Sequence, residues 1–163
     1  MHYVLIDRLL ELEPGVRVLA ERCFASEDEV FAAHFPGAPI VPGALLVESM
    51  GQAGGWLIAA TLAFTRWPLL TMIDNAKFRS RVAPGDRILI EGALRATRGD
   101  RFEVATKATV ADRRVATARL LFHAVDTTSL FGSPEFPDWA RRTFRTLGGE
   151  DRLGTSPGGE TIS

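Results

Sequence analysis

Residues 34–52 of this sequence read HFPGAPIVPGALLVESMGQ, and the stretch changes character at Gly43. Before that residue, three prolines and a glycine exclude regular secondary structure, so we expect residues 28–42 to form a shaped loop. Residues 44–64 are rich in Ala and Leu and contain no proline. This composition predicts one long helix that begins where the loop ends.

The predicted helix carries apolar residues on nearly every face, which is typical of a helix enclosed by protein. Its length also approaches that of a membrane span, so this alternative must be weighed. Glu48 and Gln52 argue against it, because an acidic residue near the centre of a membrane helix costs about 3 kcal/mol. We therefore expect a buried helix and no membrane partner.

Much of the sequence outside this loop and helix is typical of short strands. Residues 4–6 and 16–24 are predicted strands, separated by a turn at Pro14 and Gly15. From residue 70 onward, four alternating runs are separated by turn signals, which favours an antiparallel meander. The long helix must then be what the sheet covers, so we expect an α+β fold.

Length and composition limit the class of protein. The chain has 163 residues, 46% of them hydrophobic, which suits one domain with one core. A net charge of −1 gives no general reason to expect nucleic-acid binding. Cys23 is the single cysteine, so no intrachain disulfide can form, and residues 1–8 lack the features of a secretory signal. We expect a cytoplasmic protein.

The C-terminal part of the sequence differs from the rest. We place a domain boundary at residue 126, with the folded domain in residues 1–126 and an extension in residues 127–163. A short helix over residues 138–147 is predicted, with Asp138 as its cap. Beyond Gly148 there are too few apolar groups to offset the entropy of ordering, so we expect a flexible tail.

Three groups in the stretch around Gly43 suit acid/base chemistry on a thioester substrate. His34 can act as a base near neutral pH, as needed to remove a proton next to a thioester carbonyl. Glu48, among apolar neighbours, can donate a proton to a departing hydroxyl. The free N–H of Gly43 and the positive end of the helix dipole can stabilise negative charge on the thioester oxygen. Taken singly, His34 also fits a structural role and Glu48 a solvated helix stripe.

The run from His34 to Gln52 resembles the signature of β-hydroxyacyl-acyl-carrier-protein dehydratases of the FabZ type. Residues 73–79 and the turn over residues 82–86 resemble the family's strand after the central helix, and residues 3–8 are similar to its opening strand. The resemblance implies a hot-dog fold, in which a curled antiparallel sheet wraps around one long central helix. It also implies a homodimer, and in many members a trimer of dimers, with no metal or organic cofactor.

The resemblance also implies roles for individual residues. His34 matches the catalytic histidine and Glu48 the catalytic carboxylate, and the resemblance implies that each site takes the histidine from one subunit and the glutamate from the other. Gly43 matches the backbone donor to the thioester oxygen, and Val41 the carbonyl that holds the histidine ring. Further expected substrate-binding residues are the polar Gln52 and the acyl-lining Phe35 and Phe78. The expected reaction is dehydration of a β-hydroxyacyl thioester to a trans-2-enoyl thioester.

The expected partner is acyl carrier protein. Lys77, Arg79 and Arg81 alternate along a predicted strand, and a basic row of this kind suits an acidic carrier, although a solvated strand face explains it equally well. Ala38 departs from the arginine usual in the family, which could alter carrier docking. Two other functions stay open: a hot-dog acyl thioesterase that activates water with the carboxylate, and a non-catalytic acyl-binding subunit.

Overall fold

The structure of the chain is a computed structural model, which describes residues 3–127 and 135–153. These residues form both strands and helices. Within these ranges the elements follow one another as β1 (Arg8–Glu13), β2 (Arg17–Cys23), α1 (Val30–Ala33), α2 (Gly43–Thr61), β3 (Arg66–Phe78), β4 (Arg87–Arg98), β5 (Arg101–Val110), β6 (Arg113–Asp126), α3 (Glu135–Thr146) and a 3₁₀ turn (Glu150–Arg152). The α+β class predicted from the sequence is confirmed.

The six strands of the described residues form one antiparallel sheet in the order β1-β2-β4-β5-β6-β3. Strands β4, β5 and β6 form the expected meander. The expectation that all four later strands pair in sequence is wrong, because β3 pairs with β6 and forms an edge of the sheet. The chain between β3 and β4 therefore crosses from one edge of the sheet to its interior.

Helix α2 lies in the curve of this sheet and contacts β2, β3, β4, β5 and β6. Met50, Leu57 and Ile58 are fully buried, which confirms that the helix is enclosed by protein. Gly54 permits the close approach, because a Cβ there would lie 3.2 Å from the ring of Phe122 on β6. None of the helices in the described ranges has the length and apolar character needed to cross a membrane.

The helix ends at Thr61, three residues before the predicted end. Ala63 and Phe64 adopt positive φ angles of 49° and 59°, and the N–H of Phe64 donates to the carbonyl of Ala59. This left-handed termination satisfies carbonyls at the helix end. Propensity alone favoured continuation, since both residues are compatible with a helix.

The N-terminal segment departs from the prediction. Residues 4–6 are not a strand, and β1 begins only at Arg8. Leu5 and Ile6 are buried, but the N–H of Leu5 donates to the side chain of Gln52 on α2 instead of to a neighbouring strand. The segment therefore packs beside the helix as extended chain.

Two other local predictions need correction. The loop over residues 28–42 contains the one-turn helix α1, which precedes the first of the prolines at Pro36. Strand β3 ends at Phe78, so Arg79 and Arg81 follow the strand and do not continue one face of it with Lys77. All three basic residues are nevertheless exposed.

The C-terminal helix is confirmed, but α3 starts at Glu135, so Asp138 lies inside its first turn and is not its cap. After Gly148 the chain forms the 3₁₀ turn over Glu150–Arg152, and Leu153 forms a bridge to Leu12 of β1. The flexible tail stays a prediction, and residues 154–163 lie outside the described residues. The boundary at residue 126 falls at the end of β6 and stays a prediction.

Candidate active site

His34 ends α1 and opens a loop that is closed by its own backbone. The carbonyl of His34 accepts the N–H of Ile40 at 3.1 Å, and the N–H of Ala38 donates to the carbonyl of Phe35 at 2.9 Å. Gly37 has a φ of 76°, which a glycine adopts without strain. The His34 ring is half-buried and stacks on Phe35, with ring centroids 4.4 Å apart. The loop therefore holds the imidazole in a defined place.

The end of the loop, beside the start of α2, is hydrogen-bonded to the segment that connects β3 and β4. The N–H of Val41 donates to the carbonyl of Val82 at 2.8 Å, and Val41 is buried. Pro42 then occupies the N-cap position without any side-chain cap hydrogen bond. The backbone N–H groups at the start of a helix have no partner within it, so that of Gly43 is suited to meet an oxygen atom.

Gly43 and Phe78, both predicted to bind substrate, lie close together. A Cβ added at Gly43 would lie 3.0 Å from two ring atoms of Phe78, which is closer than ordinary van der Waals contact. Phe78 itself is 53% exposed. An aromatic ring therefore covers the N-terminus of α2, and only glycine fits beneath it without moving the ring.

Glu48 projects from the second turn of α2 and is held by Gln52, one turn further on. The amide Nε2 of Gln52 donates to Oε1 of Glu48 at 3.0 Å and to the carbonyl of Tyr3 at 3.0 Å. Its Oε1 accepts the N–H of Leu5 at 2.7 Å. The Gln52 amide thus links the carboxyl group to the N-terminal segment of the chain.

Glu48 faces a largely apolar cavity of about 260 Å³. Glycines and aromatic residues make up much of its wall, whose members are Tyr3, Val4, Glu48, Gly51, Gln52, Gly55, Trp56, Trp67, Pro68, Leu69, Leu70, Phe122 and Trp139. A carboxyl group among apolar walls is a suitable proton donor to a substrate that excludes water.

A single chain brings together only some of the expected residues. Glu48 and Gln52 share the cavity, and Gly43 and Phe78 are in contact, but His34 does not line the cavity of Glu48. Phe35 instead lines a separate surface groove with residues of its own loop and of α1. Of the two groups expected to act on one substrate, only Glu48 thus lines this cavity.

Sequence reasoning missed two contributors to this site. The first is the backbone of Tyr3 and Leu5, whose hydrogen bonds to Gln52 have no signal in the sequence. The second is α3, which supplies Trp139 to the cavity wall. An amphipathic pattern over residues 135–146 predicts a packed helix, but not the surface on which it packs.

The described residues contain no group of three or more His, Cys, Asp or Glu side chains placed to hold a metal ion. An imidazole and a carboxyl group can each transfer protons, and a free backbone N–H at a helix start can donate to an oxygen.

The fold matches several solved structures at low sequence identity. A chain of the dehydratase heterocomplex ApeI:P from Xenorhabdus doucetiae superposes with a TM-score of 0.63 and 14% identity, covering 80% of this chain and 88% of that one. A hot-dog-like protein from Thermanaerovibrio acidaminovorans gives 0.60 and 18%, covering 78% and 91%. The hot-dog fold expected from the sequence is confirmed.

Sequence comparison identifies the family. A model of the FabA-like domain matches residues 1–119. The 3-hydroxyacyl-acyl-carrier-protein dehydratase FabZ of Symbiobacterium thermophilum is 41% identical over 128 residues, which cover 78% of this chain and 90% of that protein. The enzyme of the same name from Chloroflexus aggregans is 38% identical over 130 residues, covering 77% and 88%. With its hot-dog fold and with relatives matched over most of their length, this chain belongs to the FabZ-type dehydratase family.

Proposed function

We propose that this chain is a hydro-lyase that removes water from β-hydroxyacyl thioesters carried on acyl carrier protein. The product is a trans-2-enoyl thioester, and the setting is fatty-acid or a related lipid or polyketide biosynthesis in the cytoplasm. Family membership supports the reaction class. Within the chain itself, the main support for this function is the position of Glu48. Gln52 holds its carboxyl group in an apolar cavity that is large enough for an acyl group.

The reaction assigns one step to each group. His34 takes the proton from the α carbon, and the electron pair of that C–H bond forms the double bond between the α and β carbons. The bond from the β carbon to its hydroxyl oxygen breaks as Glu48 donates a proton, so that water leaves. The N–H of Gly43 donates to the thioester oxygen, on which negative charge develops during proton removal. Val41 would accept a hydrogen bond from the imidazole through its carbonyl.

Other residues would position the reacting groups. Both polar atoms of the Gln52 amide are engaged within the protein, which supports a role in orienting Glu48 more than one in binding substrate directly. Phe78, whose ring packs against the start of α2, and Phe35, beside His34, are placed to line the path of the acyl chain. No cofactor enters this scheme.

A second copy of the chain would complete each site. His34 does not line the cavity of Glu48 within one chain, so a substrate that needs both groups favours an assembly in which the histidine comes from the partner. Strand β3 supports such pairing, because it is an edge strand on which Met72 and Ile73 are 50% and 49% exposed. Exposed apolar residues on an edge strand are suited to association with another chain. We propose a homodimer, with a trimer of dimers as a further assembly.

The carrier protein would approach beside the loop that bears His34. Arg81 and Arg113 lie in one surface groove with Ala38 and Pro39 of this loop, and Asp86 lies there too. Exposed arginines beside this loop can attract an acidic carrier by electrostatic steering. The position of Ala38 in this groove supports its influence on docking.

Hydration of an enoyl thioester tests the proposal, because the reverse reaction removes the ultraviolet band of the conjugated thioester. We expect His34→Ala and Glu48→Gln each to lower the rate at least about a hundredfold, the usual scale of general acid or base catalysis. His123→Ala is the matched control, since His123 lies on β6 opposite Arg101. Equal rates in all four proteins would contradict the proposal. Release of free thiol without hydration would identify a thioesterase, and binding without turnover an acyl-binding subunit.

A further inference from the structure

Helix α3 joins an aromatic cluster at one end of the cavity. The cluster consists of Trp56 on α2, Phe64 after it, Trp67 on β3, and Phe136, Trp139 and Phe144 on α3. The rings of Trp67 and Trp56 are 5.4 Å apart edge to face, and those of Trp67 and Phe136 are 5.0 Å apart. Trp139 lies 6.2 Å from Trp67 and 5.4 Å from Phe136. These contacts fix the position of α3 against the rest of the fold.

The cavity extends along α2 from Glu48 towards this cluster. Glu48, Gln52 and Trp56 are spaced four residues apart, so they lie along one face of the helix. The eight residues from Glu48 to Trp56 correspond to about 12 Å of helix axis. Gly51 and Gly55 form the floor between them, where an added Cβ would meet only one atom each, at 3.5 Å and 3.9 Å. The space is therefore bounded by glycine at its floor and by tryptophan at its end.

The end wall includes a residue outside the region shared with the family. The FabA-like domain match stops at residue 119, whereas Trp139 belongs to α3. Trp139 lines the cavity and is 42% exposed, so it lies where the cavity meets solvent and is not a core residue. Truncating it would remove part of this boundary without removing a buried side chain.

We infer that Trp139, with Trp56 and Trp67, closes the far end of the acyl-binding cavity and restricts this protein to short and medium acyl chains. The inference rests on the proposed function in one respect, namely that the thioester end of the acyl chain lies near Glu48. A cavity of roughly 150 Å³ holds the six carbons of benzene, so 260 Å³ holds on the order of ten carbons. Longer chains would meet the indole of Trp139.

Intrinsic fluorescence can measure binding at this cavity without turnover. The sequence has three tryptophans, and Trp56, Trp67 and Trp139 all line the cavity, so its occupation should change their emission. The probes are hexanoyl and tetradecanoyl coenzyme A, which carry no β-hydroxyl or double bond and so cannot react. Coenzyme A without an acyl chain gives the baseline. We expect the full-length protein to bind the hexanoyl probe more tightly than the tetradecanoyl probe.

Two variants should shift this preference in opposite directions. Trp139→Ala should raise the affinity for the tetradecanoyl probe relative to the hexanoyl probe by at least about tenfold, because a pocket discriminates added methylenes on this scale. Gly55→Leu places a side chain in the cavity and should weaken binding of both probes about tenfold. Leucine also has a higher helix propensity than glycine, so this substitution favours the helical conformation of α2. Arg142→Ala, at an exposed position of α3, is the control and should leave the ratio unchanged.

An unchanged ratio in Trp139→Ala would overturn the inference, and so would undiminished binding of both probes in Gly55→Leu. Because the measured quantity in the first variant is a ratio of two affinities, partial loss of folded protein does not affect it. Failure of the proposed function would give a different experimental result. The full-length protein would then show the expected chain-length preference in binding, but no hydration of any enoyl thioester.

Discussion

The Nε2 of Gln52 donates a 3.0 Å hydrogen bond to Oε1 of Glu48, one helical turn earlier on α2. The same amide joins the backbone of Tyr3 and Leu5, so one side chain connects the proposed catalytic acid to the N-terminal segment. A carboxyl group in an apolar cavity would rotate more freely without this donor, and its alignment with the leaving hydroxyl would be lost.

Gln52→Ala should therefore lower kcat more than it raises KM. In the hydration direction Glu48 acts as a carboxylate, and a hydrogen bond to a charged group contributes about 1.5–3 kcal/mol, which corresponds to a loss of roughly ten- to a hundredfold in kcat. Steady-state hydration kinetics measure both constants. Thr61→Ala is the control, because Thr61 also bridges α2 to a distant segment, through the N–H of Gly15, but lies away from the cavity. Similar kinetic losses in both variants would show that Gln52 acts only through stability.

The contact between Gly43 and Phe78 should be measurable as coupling. Gly43→Ala places a methyl group 3.0 Å from the Phe78 ring, and we expect a destabilisation of about 1 kcal/mol, at the low end for overpacking because the ring is half exposed. The penalty should vanish when Phe78 is already alanine, as measured by urea denaturation in a double-mutant cycle. Gly51→Ala, with its nearest neighbour at 3.5 Å, should be neutral or stabilising. Additive effects at Gly43 and Phe78 would contradict the packing described.

Glu21 should govern part of the acid sensitivity of the fold. This carboxyl group on β2 is buried; burial alone would raise its pKa, but hydrogen bonds from Arg87 and Arg8 outweigh that effect and lower the pKa below its ordinary value of 4.5. The unfolded chain therefore takes up the proton first on acidification. The stabilisation is complete above pH 4.5 and is lost as the pH falls through the folded-state pKa.

Thermal denaturation between neutral and acidic pH checks this prediction. Glu21→Gln should be less stable at neutral pH by about 1–3 kcal/mol and should lose less stability than the parent below pH 4.5. Glu91→Gln is the control, because Glu91 forms an exposed pair with Lys107 on the same sheet. Parallel stability curves for the parent and Glu21→Gln would show that this carboxyl group does not contribute.

Local sequence signals sufficed for the central helix and the loop before it. Proline and glycine confine the loop around His34, and the Ala- and Leu-rich run that follows forms α2 almost as expected. These features depend on neighbouring residues, and so they can be inferred from a short window. The family resemblance then supplied the hot-dog fold, which periodicity alone did not specify.

The predictions that the structure corrected concern contacts between distant parts of the chain. The edge position of β3 follows from its pairing with β6, in which Ile73 faces Leu120, and no local pattern encodes that choice. Leu5 lies beside α2 because its N–H meets Gln52, 47 residues away. The packing of α3 onto Trp67 is likewise set by tertiary contacts between aromatic rings. Alternation and propensity describe each segment but not its partner.

Mixing two inactive variants tests the account most directly. In a dimer that takes His34 from one subunit and Glu48 from the other, a hybrid of His34→Ala with Glu48→Gln carries one intact site and one doubly defective site. Random reassociation of equal amounts should restore about a quarter of the parental sites, since a symmetric dimer has two equivalent ones. We expect each variant alone to retain about a hundredth of the parental hydration rate or less, and the reassociated mixture to recover about a quarter of it. No recovery in a mixture shown to contain hybrid dimers would contradict a shared site.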